Sequence, residues 1–326
     1  MTMASNPFSG PERFYVRISP PLAARIRQLW SSRGLDLDRI WGECVGGLPG
    51  LATQSDGASA QAMRSHDGLC LFDQALIWLI GLNRICQAGQ GVEGLALTQT
   101  QLSAIAALSG RMQETLGALR LLVLEGYTTP ALQLARSVSE DVDMTLALLL
   151  RPRLAADFVA CRTSDEANDF WRRHIAGGRA FRFVAEKLYA IGLDHTDGTH
   201  YGRWRREVLT LLGSAIHSSP LGRSRGAGRG GWTEDPMARD CLEFVTYRLH
   251  ELCAWAHLLE LRLTEDLTRI AAAAGPAARE ARLLRYAVLS RDILLDQLRW
   301  SLRGREDPAG ADLLAGPPLS GGPERP

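Results

Sequence analysis

Aromatic residues and strand-forming patterns are scarce in this chain of 326 residues. Aromatics make up only 7% of the sequence, and no alternating β-branched run reaches the roughly five to six residues of an average strand. Hydrophobic residues nevertheless reach 46%, and Ala, Leu and Arg are abundant. These three residue types have the highest helix propensities, so the composition predicts an all-α protein with a sizeable core.

The chain also has no excess of positive or negative charge. The chain has 37 basic and 36 acidic residues, which gives a formal net charge of +1. This balance gives no general support for nucleic-acid binding, which a basic excess would indicate. Lys187 is the only lysine, and a coding preference for arginine is the simplest explanation.

Paired cysteines, export signals and uninterrupted apolar runs of membrane length are absent from the sequence. None of the six cysteines belongs to a CxxC pair, which favours a reducing compartment over a disulfide framework. The N-terminus lacks the basic and then apolar pattern of a signal peptide. The most apolar segment, Leu69–Ile80, contains Asp73 and is shorter than the roughly 18–20 residues of a transmembrane helix. We therefore expect a cytoplasmic protein without a membrane partner.

The common catalytic signatures are not found. The sequence contains no GxxxxGK(S/T) phosphate loop, no HExxH or GxSxG hydrolase motif and no protein-kinase signature. These absences exclude the standard phosphate-cradling and zinc-hydrolase templates. We therefore expect neither a cofactor nor a metal.

Helix start and stop signals divide the chain into long segments with mostly short connections. Ser19 followed by Pro20 opens a helix, and Gly126 ends another. One uninterrupted helix is predicted from Pro236 to about Ala274. This pattern favours a multi-helix bundle. We divide the chain into an N-terminal helical segment with its loop (1–57), a main bundle (58–303) and a Pro/Gly-rich, disordered C-terminal tail (304–326).

Arg136 and Glu140 form the first candidate site. They lie four residues apart in ALQLARSVSED and therefore share one face of an otherwise apolar helix. Such a pair either forms an ordinary intrahelical ion pair or organises a polar site inside the bundle.

His217 ends an apolar helix, three residues after Ser214. Histidine suits a general base near neutral pH, but the negative C-terminal dipole of a helix also favours it at this position. We predict that Arg136, Glu140 and His217 form one polar cluster inside the bundle. The Glu140 carboxylate can accept hydrogen bonds from both partners and is therefore its natural centre.

Two histidine-containing motifs carry metal-compatible side chains. His250, Cys253 and His257 lie along one helix stripe, but the outer two are about 10 Å apart along the axis, too far to share one ion. We interpret them as a core or interface stripe. The segment DHTDGTH, with Asp194 and His195, matches no zinc or calcium template and is interpreted as a solvated turn.

A Gly/Arg-rich segment follows His217. Its Arg223, Arg225 and Arg229 are candidates for binding a phosphate backbone, with Trp232 stacking on a base. The simpler interpretation is a flexible linker. RNA is therefore a candidate partner.

The two motifs around Arg136 and His217 together resemble a bacterial HEPN-like helical family of uncharacterised proteins. The likeness covers residues 121–217 and rests on EGYTTPALQLARSVSED and the later LLGSAIHSSP. It implies a HEPN-like core, and HEPN ribonucleases cut RNA without metal through an R-x4-6-H motif, usually across a dimer interface. His217 would be the motif histidine, but the arginine positions hold Thr210, Leu211 and Leu212.

The expected function is therefore that of a non-catalytic HEPN-like helical interaction module in bacterial stress or phage defence, with a protein partner or a homo-oligomeric assembly. One alternative is a metal-independent ribonuclease acting through Arg136, Glu140 and His217. Another is a helical regulator that binds a small ligand in the bundle.

The C-terminal tail provides a first test of this division. We expect removal of residues 304–326 to leave the melting temperature unchanged, because a Pro/Gly-rich segment buries little apolar surface. Thermal denaturation followed by circular dichroism, with the full chain as control, measures the effect. A drop of several degrees would show that the tail packs on the bundle.

Overall fold

A computed structural model of the chain describes residues 15, 18–46, 48, 60–195, 198–216, 232–274 and 281–303. It is 83% helical, with no strand among the described residues, which confirms the predicted all-α multi-helix bundle. The predicted tail, 304–326, lies outside the described residues. The helices are α1 (Pro20–Ser31), α2 (Leu37–Val45), α3 (Ala60–Ala88), α4 (Gln99–Leu124), α5 (Thr128–Leu150), α6 (Pro152–Ala160), α7 (Ser164–His174), α8 (Arg179–Ala190), α9 (His200–Ile216), α10 (Pro236–Leu259), α11 (Leu263–Ala273) and α12 (Ala281–Arg303).

Local signals explain where α4 begins and ends. The Thr98 hydroxyl accepts from the backbone N–H of Gln101, and the Gln101 side chain accepts from the backbone N–H of Thr98, so the pair forms a capping box. At the other end, Gly126 adopts a φ of 77°, a conformation that favours glycine. The chain then turns directly into α5.

Two parts of the helix prediction were wrong. Pro152–Ala160, for which no helix was predicted, forms α6, and the single helix predicted from Pro236 to about Ala274 is divided into α10 and α11. A tertiary contact accompanies the break. The Asp266 carboxylate of α11 accepts from the backbone N–H groups of Ala96, at 3.0 Å, and Leu97, at 2.8 Å. This contact holds α11 against the connection between α3 and α4 and favours a new helix direction.

Helix α3 lies at the centre of the bundle and packs against α4, α10 and α12. Its segment Met63–Ala88 is long and apolar enough to cross a membrane by length and composition, and it is the one such segment in the described part of the chain. However, 83% of its most apolar window is buried inside the protein. In this structure the segment therefore forms the central core helix of the bundle.

The N-terminal helices share this core and do not form a separate unit. The Trp30 ring of α1 stacks on the Tyr286 ring of α12, with centroids 4.7 Å apart. An ion pair of 2.6 Å joins Arg33 to Asp296 beside this stack. Residues of α1 and α2 belong to the same cluster of buried side chains as α3 and α10. The proposed boundary near residue 57 therefore does not separate two hydrophobic cores.

A buried ion pair joins α3 to α4 and fixes one residue of the N-terminal segment. The Arg120 guanidinium donates to both carboxylate oxygens of Asp73, with Nε–Oδ1 at 2.9 Å. The Tyr15 hydroxyl also donates to Asp73. Burial raises the pKa of Asp73, and the positive charge of Arg120 opposes the rise. All three side chains are almost fully excluded from solvent, so each depends on the other two.

We expect Asp73→Asn to destabilise the protein by about 3–5 kcal/mol, because Arg120 would keep its charge in the core without a carboxylate. Tyr15→Phe removes only one hydrogen bond and should cost about 1–2 kcal/mol. Chemical denaturation measures both changes. Tyr189→Phe, at an exposed tyrosine, is the matched control. Equal stability of Asp73→Asn and the parent would contradict the role of this pair.

Candidate functional site

Three carboxylates of α5, all between positions 140 and 143, contact three different sets of neighbours. Glu140 pairs along its own helix, Asp141 lies 3.3 Å from Arg111 of α4, and Asp143 contacts α9 and α10. The divergence follows from helix geometry, in which successive residues point about 100° apart. Burial raises the pKa of Asp141 to about 6.

The predicted pair of Arg136 and Glu140 is present, but it is not in the interior. Their Nε and Oε1 atoms are 3.0 Å apart, and the two side chains are 29% and 38% exposed. Arg136 Nη1 also donates to the carbonyl of Leu209 at 3.1 Å, so the pair lies along the seam between α5 and α9. The prediction that the pair of Arg136 and Glu140 lies inside the bundle was therefore wrong. His217 lies outside the described residues, and its convergence with this pair stays a prediction.

The buried charges of this region centre on Asp143 instead. Its Oδ1 atom accepts from Arg248 of α10 at 2.6 Å, and its Oδ2 atom accepts from Arg205 of α9. Arg248 also donates to Glu251, one turn along α10. Each of these side chains is less than 10% exposed. Two positive and two negative charges thus cancel within one buried cluster, which we call the Asp143 network.

Burial and charge act in opposite directions on two members of the Asp143 network, Arg248 and Glu251. Burial alone lowers the pKa of Arg248, but the carboxylates of Glu251 and Asp143 raise it well above its ordinary value. Burial raises the pKa of Glu251, and the charge of Arg248 opposes that rise. The network is therefore a set of mutually dependent ion pairs that joins α5, α9 and α10.

Aromatic rings cover the Asp143 network on the side of α8 and α9. The Arg205 guanidinium carbon lies 3.6 Å from the centre of the Phe181 ring of α8. The His195 ring lies 4.4 Å from that of Tyr201 and 5.2 Å from that of Trp255, measured between centroids. These rings pack on one another instead of enclosing a space, so the arrangement is a packing cluster. The described residues of the DHTDGTH segment are exposed or half-buried, as the interpretation of a solvated turn predicts, although the His195 ring also packs on its aromatic neighbours.

Sequence reasoning missed the Asp143 network, because Asp143 and Arg248 are 105 residues apart in the chain. One signal was available. Arg248 follows Cys241 and Val245 along the buried stripe of α10, so its charge occupies a core-facing position. A charge at such a position needs a partner from another helix.

The interpretation of His250, Cys253 and His257 as a packed stripe is confirmed by their burial. Burial lowers the pKa of each histidine to about 4. His257 Nδ1 lies 3.1 Å from the Thr264 hydroxyl. Among the described residues, no group of three or more His, Cys, Asp and Glu side chains could hold a metal ion.

The predicted loop site is only partly described. Arg223, Arg225 and Arg229 lie outside the described residues. Trp232 is only 3% exposed, and its ring meets that of His66 edge-on at 5.5 Å. A ring buried in this way is not available to stack on a base, so the binding role predicted for Trp232 was wrong.

Helices α6–α8 carry a surface that the sequence analysis did not single out. Residues 151–190 contain eight basic and five acidic residues. Five exposed arginines surround the junction of α7 and α8, and we call them the basic face. They are Arg151, Arg172, Arg173, Arg179 and Arg182. Arg172 has a weak ion pair of 3.9 Å with Asp169, and within the described part of the chain no carboxylate lies within 4.0 Å of the other four.

The chain path brings these arginines together. Gly177 and Gly178 adopt φ values of 68° and 73°, so the end of α7 turns sharply into the start of α8. Burial lowers the pKa of His174 at this turn, three surrounding arginines lower it further, and the Asp157 carboxylate of α6 opposes them. These three are Arg151, Arg173 and Arg179. These charges therefore come from α7, α8 and the residue that precedes α6, and they act on one place.

Backbone contacts hold the arginines of the basic face in position. Arg179 Nη1 donates to the carbonyls of Arg172 and Ala176, the latter at 3.0 Å. Arg182 Nη2 donates to the Gly177 carbonyl at 3.2 Å. A guanidinium carries five N–H donors, so these bonds leave most of the donors for an external acceptor. The first turn of α8 adds its positive partial charge at the same place.

Comparison of the chain with protein-family models, with curated proteins and with solved structures finds no match.

We expect Asp143→Asn to destabilise the protein by about 3–5 kcal/mol, because it leaves two buried arginines without their shared carboxylate. Glu140→Gln, three residues away on the same helix, should cost less than about 1 kcal/mol, since solvent screens a half-exposed ion pair. Chemical denaturation of the two variants compares the positions directly. A larger loss for Glu140→Gln would contradict the assignment of the buried network to Asp143.

Proposed function

We propose that this protein is a non-catalytic helical module that binds nucleic acid through the phosphate backbone. The observation that carries the proposal is the basic face, where five exposed arginines lie together and, within the described part of the chain, four of them have no carboxylate within 4.0 Å. Phosphate binding depends mainly on such charges, and guanidinium groups match the geometry of phosphate oxygens. The function is therefore assigned to α6–α8 and not to the residues around Arg136.

The use of arginine elsewhere in the chain supports this assignment. In the core, Arg120 is neutralised by Asp73, and Arg205 and Arg248 share Asp143. The basic face differs because its charges remain available to a partner. The net charge of +1 does not reveal this difference between core and surface arginines, because it counts paired and unpaired groups in the same way.

The geometry of Arg136 supports a non-catalytic module over the ribonuclease alternative. Its guanidinium is engaged by the Glu140 carboxylate and by the Leu209 carbonyl, so it acts as a link between α5 and α9. The HEPN-like core and the role in bacterial stress or defence remain part of the proposal, on the residue patterns that suggested them. RNA is the nucleic acid that those patterns favour.

The small-ligand alternative has less support. The rings around the Asp143 network pack directly on one another. A depression of about 300 Å³ beside Gln28, Asp36 and Asp38 is widely open to solvent and does not enclose a ligand. Ligand pockets typically bury most of the surface of their ligand.

Removing two charges from the basic face tests the proposal. We expect the double variant Arg172→Gln/Arg173→Gln to bind labelled single-stranded RNA on the order of tenfold more weakly at low salt than the parent does. The slope of log affinity against log salt should fall by about 1.4, because each lost phosphate contact contributes about 0.7. Fluorescence anisotropy across a salt series measures both quantities.

Arg39→Gln/Arg262→Gln is the matched control, because it removes the same charge from exposed positions on or beside other helices. Its affinity and salt slope should equal those of the parent. Equal losses in both double variants would reduce the effect to net charge and contradict a defined surface. Equal binding of a polyglutamate would contradict the assignment to nucleic acid.

A further inference from the structure

One large aromatic side chain lies exposed beside the basic face. Trp171 of α7 is 45% exposed and directly precedes Arg172 and Arg173. The other tryptophan side chains that the structure describes are each less than 10% exposed. They are Trp30, Trp41, Trp78, Trp204, Trp232 and Trp255. Trp171 is therefore the exception among the described tryptophans, and in the sequence it directly precedes two arginines of the basic face.

Packing does not account for Trp171. Phe170 is the one buried residue of α7, and its ring contacts Phe158 and His174. Trp171 has no ring contact with an aromatic side chain in the described part of the chain. Exposing a tryptophan face to water forgoes the free energy that its burial would provide. The exposed indole ring is therefore available to a partner.

The chemistry of the partner follows from the two neighbouring features. Arg172 and Arg173 recognise phosphate groups, and an exposed indole face stacks on a planar base. In a duplex the base faces are covered by their neighbours, whereas a single strand leaves them available for stacking on a protein side chain. The combination therefore matches unpaired nucleotides better than a duplex or an acidic peptide.

We propose that Trp171 stacks on an unpaired base while Arg172 and Arg173 hold the adjoining phosphates, so that the basic face prefers single strands. This inference rests on the proposed function and specifies its ligand. RNA and DNA share the chemistry that is recognised, and a matched pair of probes separates them. Trp171 is assigned to stacking, and the arginines to the backbone.

Trp171→Ala tests the inference with a labelled oligouridylate, an oligothymidylate of equal length and an RNA duplex. Affinity for the single strands should fall roughly tenfold, within the range for loss of one stacked base. The salt slope should stay unchanged, because no charge is removed, and duplex affinity should stay at the level of the parent. Trp171→Phe should restore most of the single-strand affinity, since phenylalanine also presents a ring face.

Tyr189→Ala is the matched control, because it removes an exposed aromatic ring from α8 outside the basic face. It should leave all affinities unchanged. Melting temperatures of the variants, followed by circular dichroism, separate a change in stability from a change in binding. Loss of single-strand and duplex affinity together in Trp171→Ala would overturn the stacking role.

The outcomes also separate this inference from the proposed function. If the parent binds single strands and duplex equally, and Trp171→Ala changes neither, the stacking inference fails while the basic face retains its function. If the parent binds no nucleic acid at low salt, both fail. Stronger binding of the parent to vesicles of anionic phospholipid, lost in Trp171→Ala, would assign the surface to a membrane and overturn the inference.

Discussion

The carboxylate of Asp143 is the interaction on which the arrangement of α5, α9 and α10 depends. It is shared by Arg205 and Arg248, and a shared carboxylate fixes both guanidinium groups relative to one helix. Arg205 in turn packs on Phe181 of α8, so the network extends to the element that carries the basic face. Buried ion pairs add little net stability over apolar packing, but they penalise any arrangement that separates them. The network therefore selects one packing of these helices.

The arginines of the core and those at the junction of α7 and α8 are used in different ways. In the core, Arg120 and Arg248 are enclosed and matched to carboxylates on other turns or helices. At the junction of α7 and α8, Arg173, Arg179 and Arg182 donate to backbone carbonyls and keep their net charge. A carbonyl orients a guanidinium without neutralising it, so this surface combines fixed geometry with an open charge. That combination suits recognition of phosphate groups.

This division also bears on the HEPN-like resemblance. The residues that suggested it, Arg136 and Glu140, form a half-exposed pair that ties α5 to α9. Arginine in that role contributes to helix packing. The binding surface proposed for the module lies on different helices, where the sequence showed only an ordinary mixture of charges. A shared helical framework and a separate binding surface are compatible, because a fold does not determine the function it carries.

The sequence alone determined the helical class and several helix ends, because these depend on neighbouring residues. Thr98 caps α4, Gly126 ends it and Pro20 opens α1. The tertiary structure decided the break before α11, which a distant contact of Asp266 favours. The tertiary structure also decided which arginines are paired with carboxylates. The Asp143 network and the basic face both depend on helix packing, since a carboxylate neutralises an arginine through space, whatever their separation in the chain.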